Sequence, residues 1–276
     1  MSLSQKNFYR LAQEKLDQNQ VVEAIKLLEE GLSQGYDHKL AMLLCKLYLD
    51  TEEVDQAYSL IKEETDLFSD KKVYQLYLLI LKHAHFYIEW LQIKALSGKL
   101  PDIAVEPVGE QEQLNIMNQF KQARNVTLGM YQDLFKLNLT NFVSFTQSLL
   151  LDPTLEFATR LTLLEDLVKL KLTQKTSVRV LDKIEVFIPV ETELLRKSPI
   201  YREVVYGIGD RYRNRPNELP YILGLVNLFI GALYPKIPEY ITNTASFTKN
   251  LLSYIETGNG YEDQEILTKI NQFLPK

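Results

Sequence analysis

The segment Gly31-Leu-Ser33-Gln-Gly35 has the G-x-S-x-G spacing that presents a nucleophilic serine in many hydrolases. That chemistry needs the serine on a sharp turn between a strand and a helix, where its hydroxyl is open to the substrate. In this chain the apolar residues before the motif, Ala24 and Leu28, recur at helical spacing. Because a helix rather than a strand precedes the serine, we interpret the match as coincidental.

Metal-binding and nucleotide-binding patterns are equally incomplete. Of the three histidines, His83 and His85 lie close together, but no third ligand follows at short range, and we interpret them as solvated turn residues. Gly207-Ile-Gly209 is followed by Tyr212 where the dinucleotide fingerprint requires glycine, and no strand leads into it. We therefore expect no catalytic residue, no metal and no cofactor, and we expect that the protein is not an enzyme.

A basic segment is the remaining candidate for chemistry. Its four arginines are Arg202, Arg211, Arg213 and Arg215. On a helix, Arg211 and Arg215 share one face. We interpret the cluster as a solvated face or as ion pairs with Glu203 and Glu218. The alternative is a regulatory site in which segment 202–215 binds RNA or another ligand by charge and by stacking on its two tyrosines.

Composition narrows the classes of partner. With 46% hydrophobic and 24% charged residues, the 276-residue chain has the composition of a globular protein. Its formal net charge of -5 does not attract phosphate backbones, so we do not expect nucleic acid as a partner. Cys45 is the only cysteine, which excludes an intramolecular disulfide and favours a reducing compartment.

No segment has the features of a membrane anchor or a signal peptide. Residues 1–10 have no apolar run of the kind that a signal peptide needs. The most apolar stretch, 221–234, is shorter than the roughly 20 residues of a membrane-spanning helix. We predict a cytoplasmic protein without membrane contact.

The elements that carry these residues repeat along the chain. Glu23-Ala24, Gln56-Ala57 and Glu89-Trp90 recur at a constant interval, each within an apolar helix, a polar turn and a second amphipathic helix. Small residues, among them Ala12 and Cys45, stand at mid-helix positions where a neighbouring helix must approach closely. The pattern predicts consecutive helical hairpins, with one unbroken helix as the alternative for the third unit.

This frame resembles the tetratricopeptide repeat, in which an aromatic residue is followed by leucine and then by a small residue, and the second helix carries an alanine. The likeness covers 4–68 well, although Lys15 stands where an aromatic residue is usual. It implies an all-α fold with an α-solenoid of hairpins over 1–97. Pro101, Pro107 and two glycines then predict a linker or loop over 98–112.

The C-terminal region, 113–276, is predicted to be helical with one small β-hairpin. Helices are expected over 110–137, 139–151, 153–172, 216–234, 238–256 and 262–273, with a further helix starting at Ser198-Pro199. Between them, 177–188 alternates β-branched residues with period two, and Asp182-Lys183 interrupts the alternation, which predicts the hairpin. Leu151-Asp-Pro153 and Ala232-Leu-Tyr-Pro235 resemble motifs of uncharacterised cytosolic tetratricopeptide-repeat proteins of Gram-positive bacteria.

The resemblance implies a non-catalytic adaptor or scaffold with a protein or peptide partner, bound on the first helices of the repeats. The residues expected to face this partner are Tyr9, Gln13, Met42, Lys46 and Leu49. Tyr9 and Met42 would be apolar anchors for an amphipathic helix or an extended peptide. The alternative is that the C-terminal helices of the chain itself fill this groove.

Overall fold

The computed structural model describes residues 2–274, and 68% of the chain is helical. The described part contains one sheet, a two-stranded antiparallel hairpin of β1 (Thr176–Val180) and β2 (Lys183–Phe187). The prediction of an all-α protein with one small hairpin near 177–188 is confirmed at this level. No helix among residues 2–274 is both long enough and apolar enough to span a membrane.

The chain forms two compact units, the first ending at Leu139 and the second beginning at Thr140. The helices of the first unit are α1 (Leu3–Asp17), α2 (Val21–Ser33), α3 (His38–Asp50), α4 (Val54–Ile61), α5 (Lys71–Ala84), α6 (Tyr87–Ser97), α7 (Glu110–Gln122) and α8 (Leu128–Asp133). The predicted linker 98–112 lies inside this unit. The domain limits 1–97 and 113–276 stay a prediction.

Three turns of the same geometry join α1 to α2, α3 to α4 and α5 to α6. Asn19, Glu52 and His85 each adopt the left-handed conformation, with φ of 59°, 63° and 57°. The next amide in each turn donates to a carbonyl on the preceding helix, over 2.8, 2.7 and 2.9 Å. This is the Schellman closure of a helix C-terminus, and it recurs at the interval of the sequence repeat. The third unit is therefore a hairpin of two helices, α5 and α6, and not one continuous helix.

Small residues allow these helices to approach closely. Ala12, Ala24, Cys45 and Ala57 have no exposed surface. Burial raises the pKa of the Cys45 thiol to about 12, and the charge of Glu64 adds to the effect. A Cβ atom built on Gly31 would lie 3.1 Å from a methyl carbon of Leu40, so a side chain there would require Leu40 to shift by a few tenths of an ångström.

Replacing Ala24 with leucine is expected to lower the free energy of unfolding by about 1–3 kcal/mol, because three added carbons must enter a filled interface. Urea denaturation followed by circular dichroism measures the change. Lys26→Leu, on the exposed side of the same helix, is the control and is expected to stay within about 0.5 kcal/mol of the wild type. Equal stability of Ala24→Leu and the wild type would contradict the close packing of α2.

The segment before α7 has no helix, as predicted, but it packs onto its own unit. Trp90 donates its indole N–H to the carbonyl of Ile103 over 2.8 Å. His85 Nδ1 lies 3.1 Å from the carbonyl oxygen of Glu106, and the amide N–H of Val108 donates to the backbone carbonyl of Lys136. These contacts hold the segment along its length, so it is a packed loop of the first unit.

The second unit contains the β-hairpin and a set of helices. They are α9 (Leu139–Leu151), which starts at the last residue of the first unit, α10 (Phe157–Lys169), α11 (Pro199–Arg211), α12 (Leu219–Gly231), α13 (Ile237–Tyr240), α14 (Thr244–Thr257) and α15 (Gln264–Phe273). Short 3₁₀ turns lie at Leu134–Lys136, Pro189–Glu191, Leu195–Lys197 and Tyr261–Asp263. In the hairpin, Val178 pairs with Glu185 and Arg179 with Ile184.

Three predicted helices differ from the structure. The helix expected from Pro153 begins only at Phe157, because the Asp152 carboxylate accepts the Thr154 amide N–H in a local turn instead of capping a helix. The helix expected over 238–256 is broken, and its longer part starts at α14 with Asn243 as cap. The region 110–137 is interrupted between α7 and α8, where Thr127 caps the second helix.

Candidate functional site

The residues predicted to face a partner lie at the surface of α1 and α3. Gln13 and Lys46 are exposed, while Tyr9, Met42 and Leu49 are half-buried. Gln13 donates a hydrogen bond to the Tyr9 hydroxyl over 3.3 Å, so these two side chains come together on α1. Met42, Lys46 and Leu49 follow one another at helical spacing on one face of α3. The role of this surface in partner binding stays a prediction.

The same face continues on α5, which the sequence analysis did not include. One repeat interval after Met42, Lys46 and Leu49, the equivalent positions are occupied by Gln75, Leu79 and Lys82. All three are exposed, and Leu79 exposes 39% of its surface. The repeat interval that relates α1 to α3 also leads from α3 to these three positions on α5.

A second surface in the first unit is a pronounced apolar groove, which we call the Phe68 groove. Its volume is about 520 Å³, and it is lined by Phe68, Tyr74, Ile93, Leu96, Ser97, Lys99, Leu100, Pro101 and Asp102. Phe68 is 68% exposed, Leu100 65% and Leu96 54%, which is unusual for large apolar side chains that lie next to one another. Lys99 and Asp102 add one charge of each sign.

The elements around the groove explain why these side chains stay exposed. Phe68 lies in the connection between α4 and α5, where its ring contacts Tyr74 and Tyr77 at centroid distances of 6.3 and 6.1 Å. Leu96 lies in the last turn of α6, and Gly98, in the left-handed conformation with φ of 68°, turns the chain before Leu100. Burial raises the pKa of the Tyr74 hydroxyl, and the charge of Asp102 adds to the effect.

A buried polar cluster supports the tyrosine under Phe68. The Glu89 carboxylate on α6 is 7% exposed and accepts hydrogen bonds from Tyr77 over 2.5 Å and Tyr58 over 2.6 Å. Lys62 donates to the same carboxylate over 2.6 Å, and its ammonium lies 5.3 Å from the centre of the Tyr77 ring. Burial and the negative charge of Glu89 hold the pKa of Tyr77 well above its ordinary value. The cluster joins α4, α5 and α6 and holds Tyr77, whose ring contacts the ring of Phe68.

The Phe68 groove was missed in the sequence analysis because its residues come from two connections, from the start of α5 and from the second half of α6. A phenylalanine in a polar turn and two leucines on either side of Gly98 were the available signals. Neither follows a helical period, so a search for periodic stripes does not detect them.

The basic cluster is engaged with nearby carboxylates. Arg215 lies 3.3 Å from Glu218 and 3.5 Å from Glu256, and Arg211 lies 4.0 Å from Glu256. The guanidinium of Arg215 stacks over the ring of Tyr212 at 4.5 Å, and the Tyr212 hydroxyl donates to Glu256 over 2.8 Å. Arg215 therefore pairs with Glu218, one of the two expected partners, and Arg211 and Arg215 share the carboxylate of Glu256.

The other two arginines of the cluster, Arg202 and Arg213, are both exposed. Arg202 lies in the first turns of α11 and Arg213 follows its end, so the structure places them more than two helical turns apart along the chain. The four arginines do not form one compact patch.

The residues of the discarded motifs lie in ordinary helical surroundings. Ser33 is the last residue of α2, and its hydroxyl donates to the carbonyl of Glu30 over 2.7 Å. His38 Nδ1 lies 3.1 Å from Glu64, and His83 is exposed in the last turn of α5. Among residues 2–274, no three histidine, cysteine or acidic side chains are grouped so that they could hold a metal ion.

Comparison with known proteins adds no assignment to this geometry. No protein-family model and no curated protein sequence matches the chain.

Proposed function

We propose that the chain is a non-catalytic protein–protein interaction adaptor whose first unit binds an amphipathic segment of a partner at the Phe68 groove. In this proposal α1–α6 are tetratricopeptide-like hairpins of an α-solenoid. The resemblance to cytosolic repeat proteins of Gram-positive bacteria extends the proposal to a cytoplasmic bacterial adaptor. The observation that carries the proposal is the adjacency of three large apolar side chains, each more than half exposed.

The recurring turn geometry supports the repeat. The left-handed residue at 19, 52 and 85 keeps the same place in all three hairpins, as expected for units that stack with a constant relation. Trp90 stands where the first two units have alanine, and this large residue is used to hold the loop after the last hairpin. Repeat arrays commonly end in a modified unit that caps the stack.

The chemistry of the groove indicates its ligand. On binding, the apolar surfaces of Phe68, Leu96 and Leu100 would be buried against the partner and removed from water. This favours leucine-like or aromatic side chains in the partner. A volume of about 520 Å³ is within the size range of sites that bind a few such groups. Because Lys99 and Asp102 carry opposite charges, a partner helix with apolar anchors between residues of both signs matches the site better than a uniformly charged one.

The face formed by Tyr9, Met42 and their equivalents on α5 is the second contact surface of the proposal. It carries polar and apolar side chains in alternation, with Gln13 and Lys46 exposed. We expect it to contribute specificity through hydrogen bonds and charge, while the groove contributes most of the apolar contact. The RNA-binding or ligand-binding alternative has no such support, because Arg211 and Arg215 are already paired with carboxylates.

The test is affinity capture from the native cell, followed by titration of the captured partner against purified variants. Phe68→Ala together with Leu100→Ala is expected to weaken binding at least tenfold, since both side chains lose their contact with the partner. The melting temperature should change little, because both residues are mostly exposed. Tyr9→Ala with Met42→Ala tests the second surface in the same assay.

Leu128→Ala is the matched control. Leu128 is 73% exposed in the same unit but lies outside the groove, so its removal is expected to leave the affinity unchanged. If the groove variant binds like the wild type while the Tyr9 and Met42 variant does not, the partner binds on the first helices instead. If both bind like the wild type, the adaptor surface is not in the first unit.

A further inference from the structure

The second unit contains a small cavity between α10, β1 and the end of α12, which we call the two-arginine cavity. Its volume is about 80 Å³, and it is lined by Pro153, Leu155, Phe157, Arg160, Leu161, Leu164, Arg179, Leu181, Gly231, Ala232, Tyr234 and Phe273. Gly231 lets the helices approach, since a Cβ atom there would lie 3.1 Å from the ring of Phe157. Among residues 2–274, the polar side chains in this apolar wall are two guanidinium groups and one phenol.

Neither guanidinium is neutralised within the described part of the chain. Arg160 donates through Nη2 to the backbone carbonyls of Asp152 at 2.8 Å and Leu155 at 3.3 Å. Its Nε and that of Arg179 are buried and have no hydrogen-bond partner among residues 2–274. No carboxylate of the described residues forms an ion pair with either arginine, and the Asp152 side chain is already hydrogen-bonded to Thr154.

The electrostatic environment of these groups is unfavourable without a further anion. Burial lowers the pKa of Arg160, and the positive charge of Arg179 lowers it further, against a partial offset from Asp152. Two like charges close together in a poorly solvated space repel each other, and buried N–H donors without acceptors lose their hydration without compensation.

Tyr234 is a third donor without a partner. Its side chain is 3% exposed, and its hydroxyl finds no acceptor within the described residues. Burial raises the pKa of this hydroxyl, and the charge of Glu165 adds to the effect, so the phenol keeps its proton at neutral pH and can donate it in a hydrogen bond. Buried tyrosine hydroxyls usually have a partner, so this one indicates an acceptor other than the side chains and backbone of residues 2–274.

We propose that the two-arginine cavity is a binding site for a small oxyanion, held by the guanidinium groups of Arg160 and Arg179 and by the hydroxyl of Tyr234. An oxyanion supplies acceptor oxygens to all three donors and neutralises the repelling charges. Water offers acceptors but no charge, and it leaves the repulsion between the two arginines in place.

The size of the cavity limits the ligand class. A single water needs about 10–15 Å³ of such volume, so about 80 Å³ has room for an inorganic phosphate or the carboxylate end of a short organic acid. Leu155, Leu161 and Leu164 give the walls an apolar character that tolerates one or two carbon atoms beside the charged group. Phosphate and short carboxylates share the same recognition chemistry here.

Isothermal titration calorimetry of the full chain with inorganic phosphate, and separately with acetate, tests the proposal. Sodium chloride at matched ionic strength is the blank. One saturable site per chain is expected for at least one of the two anions, and the comparison shows whether the tetrahedral or the planar group is preferred. Arg179→Gln is expected to weaken this binding at least tenfold, since it removes a charged donor.

Tyr234→Phe separates a binding role from a structural one. Without anion, its melting temperature is expected to equal or exceed that of the wild type, because the change removes a buried hydroxyl that has no partner. With anion, its affinity should fall about tenfold. Arg202→Gln, a charge loss at an exposed position of the same unit, should leave the binding unchanged.

Two results would overturn the proposal. One is the absence of saturable heat from both phosphate and acetate. The other is wild-type affinity in both Arg179→Gln and Tyr234→Phe, which would place any anion elsewhere. Because Tyr234→Phe removes a single oxygen atom, it remains informative even if Arg179→Gln fails to fold.

Discussion

Replacing Trp90 with alanine is expected to lower the free energy of unfolding by about 3–5 kcal/mol, the usual cost of truncating a buried tryptophan. Trp90 is 7% exposed, and its ring stacks on Tyr87 at a centroid distance of 5.9 Å. The variant also removes the indole N–H that the carbonyl of Ile103 accepts over 2.8 Å. The loop that contains Pro101 would lose its central attachment to α6.

Chemical denaturation followed by circular dichroism measures the loss. Trp90→Phe is the matched variant, because it keeps most of the apolar ring but removes the donor, and we expect it to cost only about 1–2 kcal/mol. Proteolysis between residues 98 and 109 should accelerate in the alanine variant before global unfolding sets in. If this loop is cleaved at the same rate in all three proteins, Trp90 does not hold it.

Replacing Glu89 with alanine is expected to cost about 2–4 kcal/mol. The hydroxyls of Tyr58 and Tyr77 would both lose their acceptor, and each buried hydroxyl left without a partner costs about 1–3 kcal/mol. The ion pair with Lys62 adds little, because the lysine side chain is 40% exposed and can be hydrated when the carboxylate is removed.

Glu89→Gln distinguishes hydrogen bonding from charge. The amide still offers an oxygen to one tyrosine and an N–H to the other, so we expect a loss of only about 1 kcal/mol in the same denaturation measurement. Equal losses in Glu89→Ala and Glu89→Gln would show that the negative charge, and not the acceptor geometry, stabilises the cluster.

The buried cluster around Glu89 also connects the stability of the first unit to the proposed function. Tyr77 receives the edge of Phe68 at a centroid distance of 6.1 Å, and Glu89 fixes the hydroxyl of that tyrosine. A loosened Tyr77 would give Phe68 more freedom, and a partner would have to restrict that freedom on binding. The packing of α4, α5 and α6 thus determines how well the groove is preformed.

Local patterns were sufficient for the elements of this chain. Apolar spacing of three and four indicated the helices, period-two alternation indicated a hairpin near 177–188, and the constant repeat interval indicated where α1, α3 and α5 each turn back. These signals are strong because the residues of each pattern are close in sequence and lie on one face of a single helix or strand. Helix ends were predicted less accurately, as at Asp152, where a local turn competes for the same carboxylate.

Only the tertiary structure decided which polar residues meet. Glu89 and Tyr58 come from different hairpins, and Arg179 and Tyr234 are separated by two whole helices, so no local pattern joins either pair. The 98–109 segment has the proline and glycine content of a linker, and the contacts of Trp90, His85 and Lys136 with it make it part of the first unit. By itself the sequence determined the type and approximate position of most helices and of the hairpin, because these depend on neighbours along the chain. The Phe68 groove and the two-arginine cavity arise from side chains distant in sequence, and their positions depend on how whole helices pack.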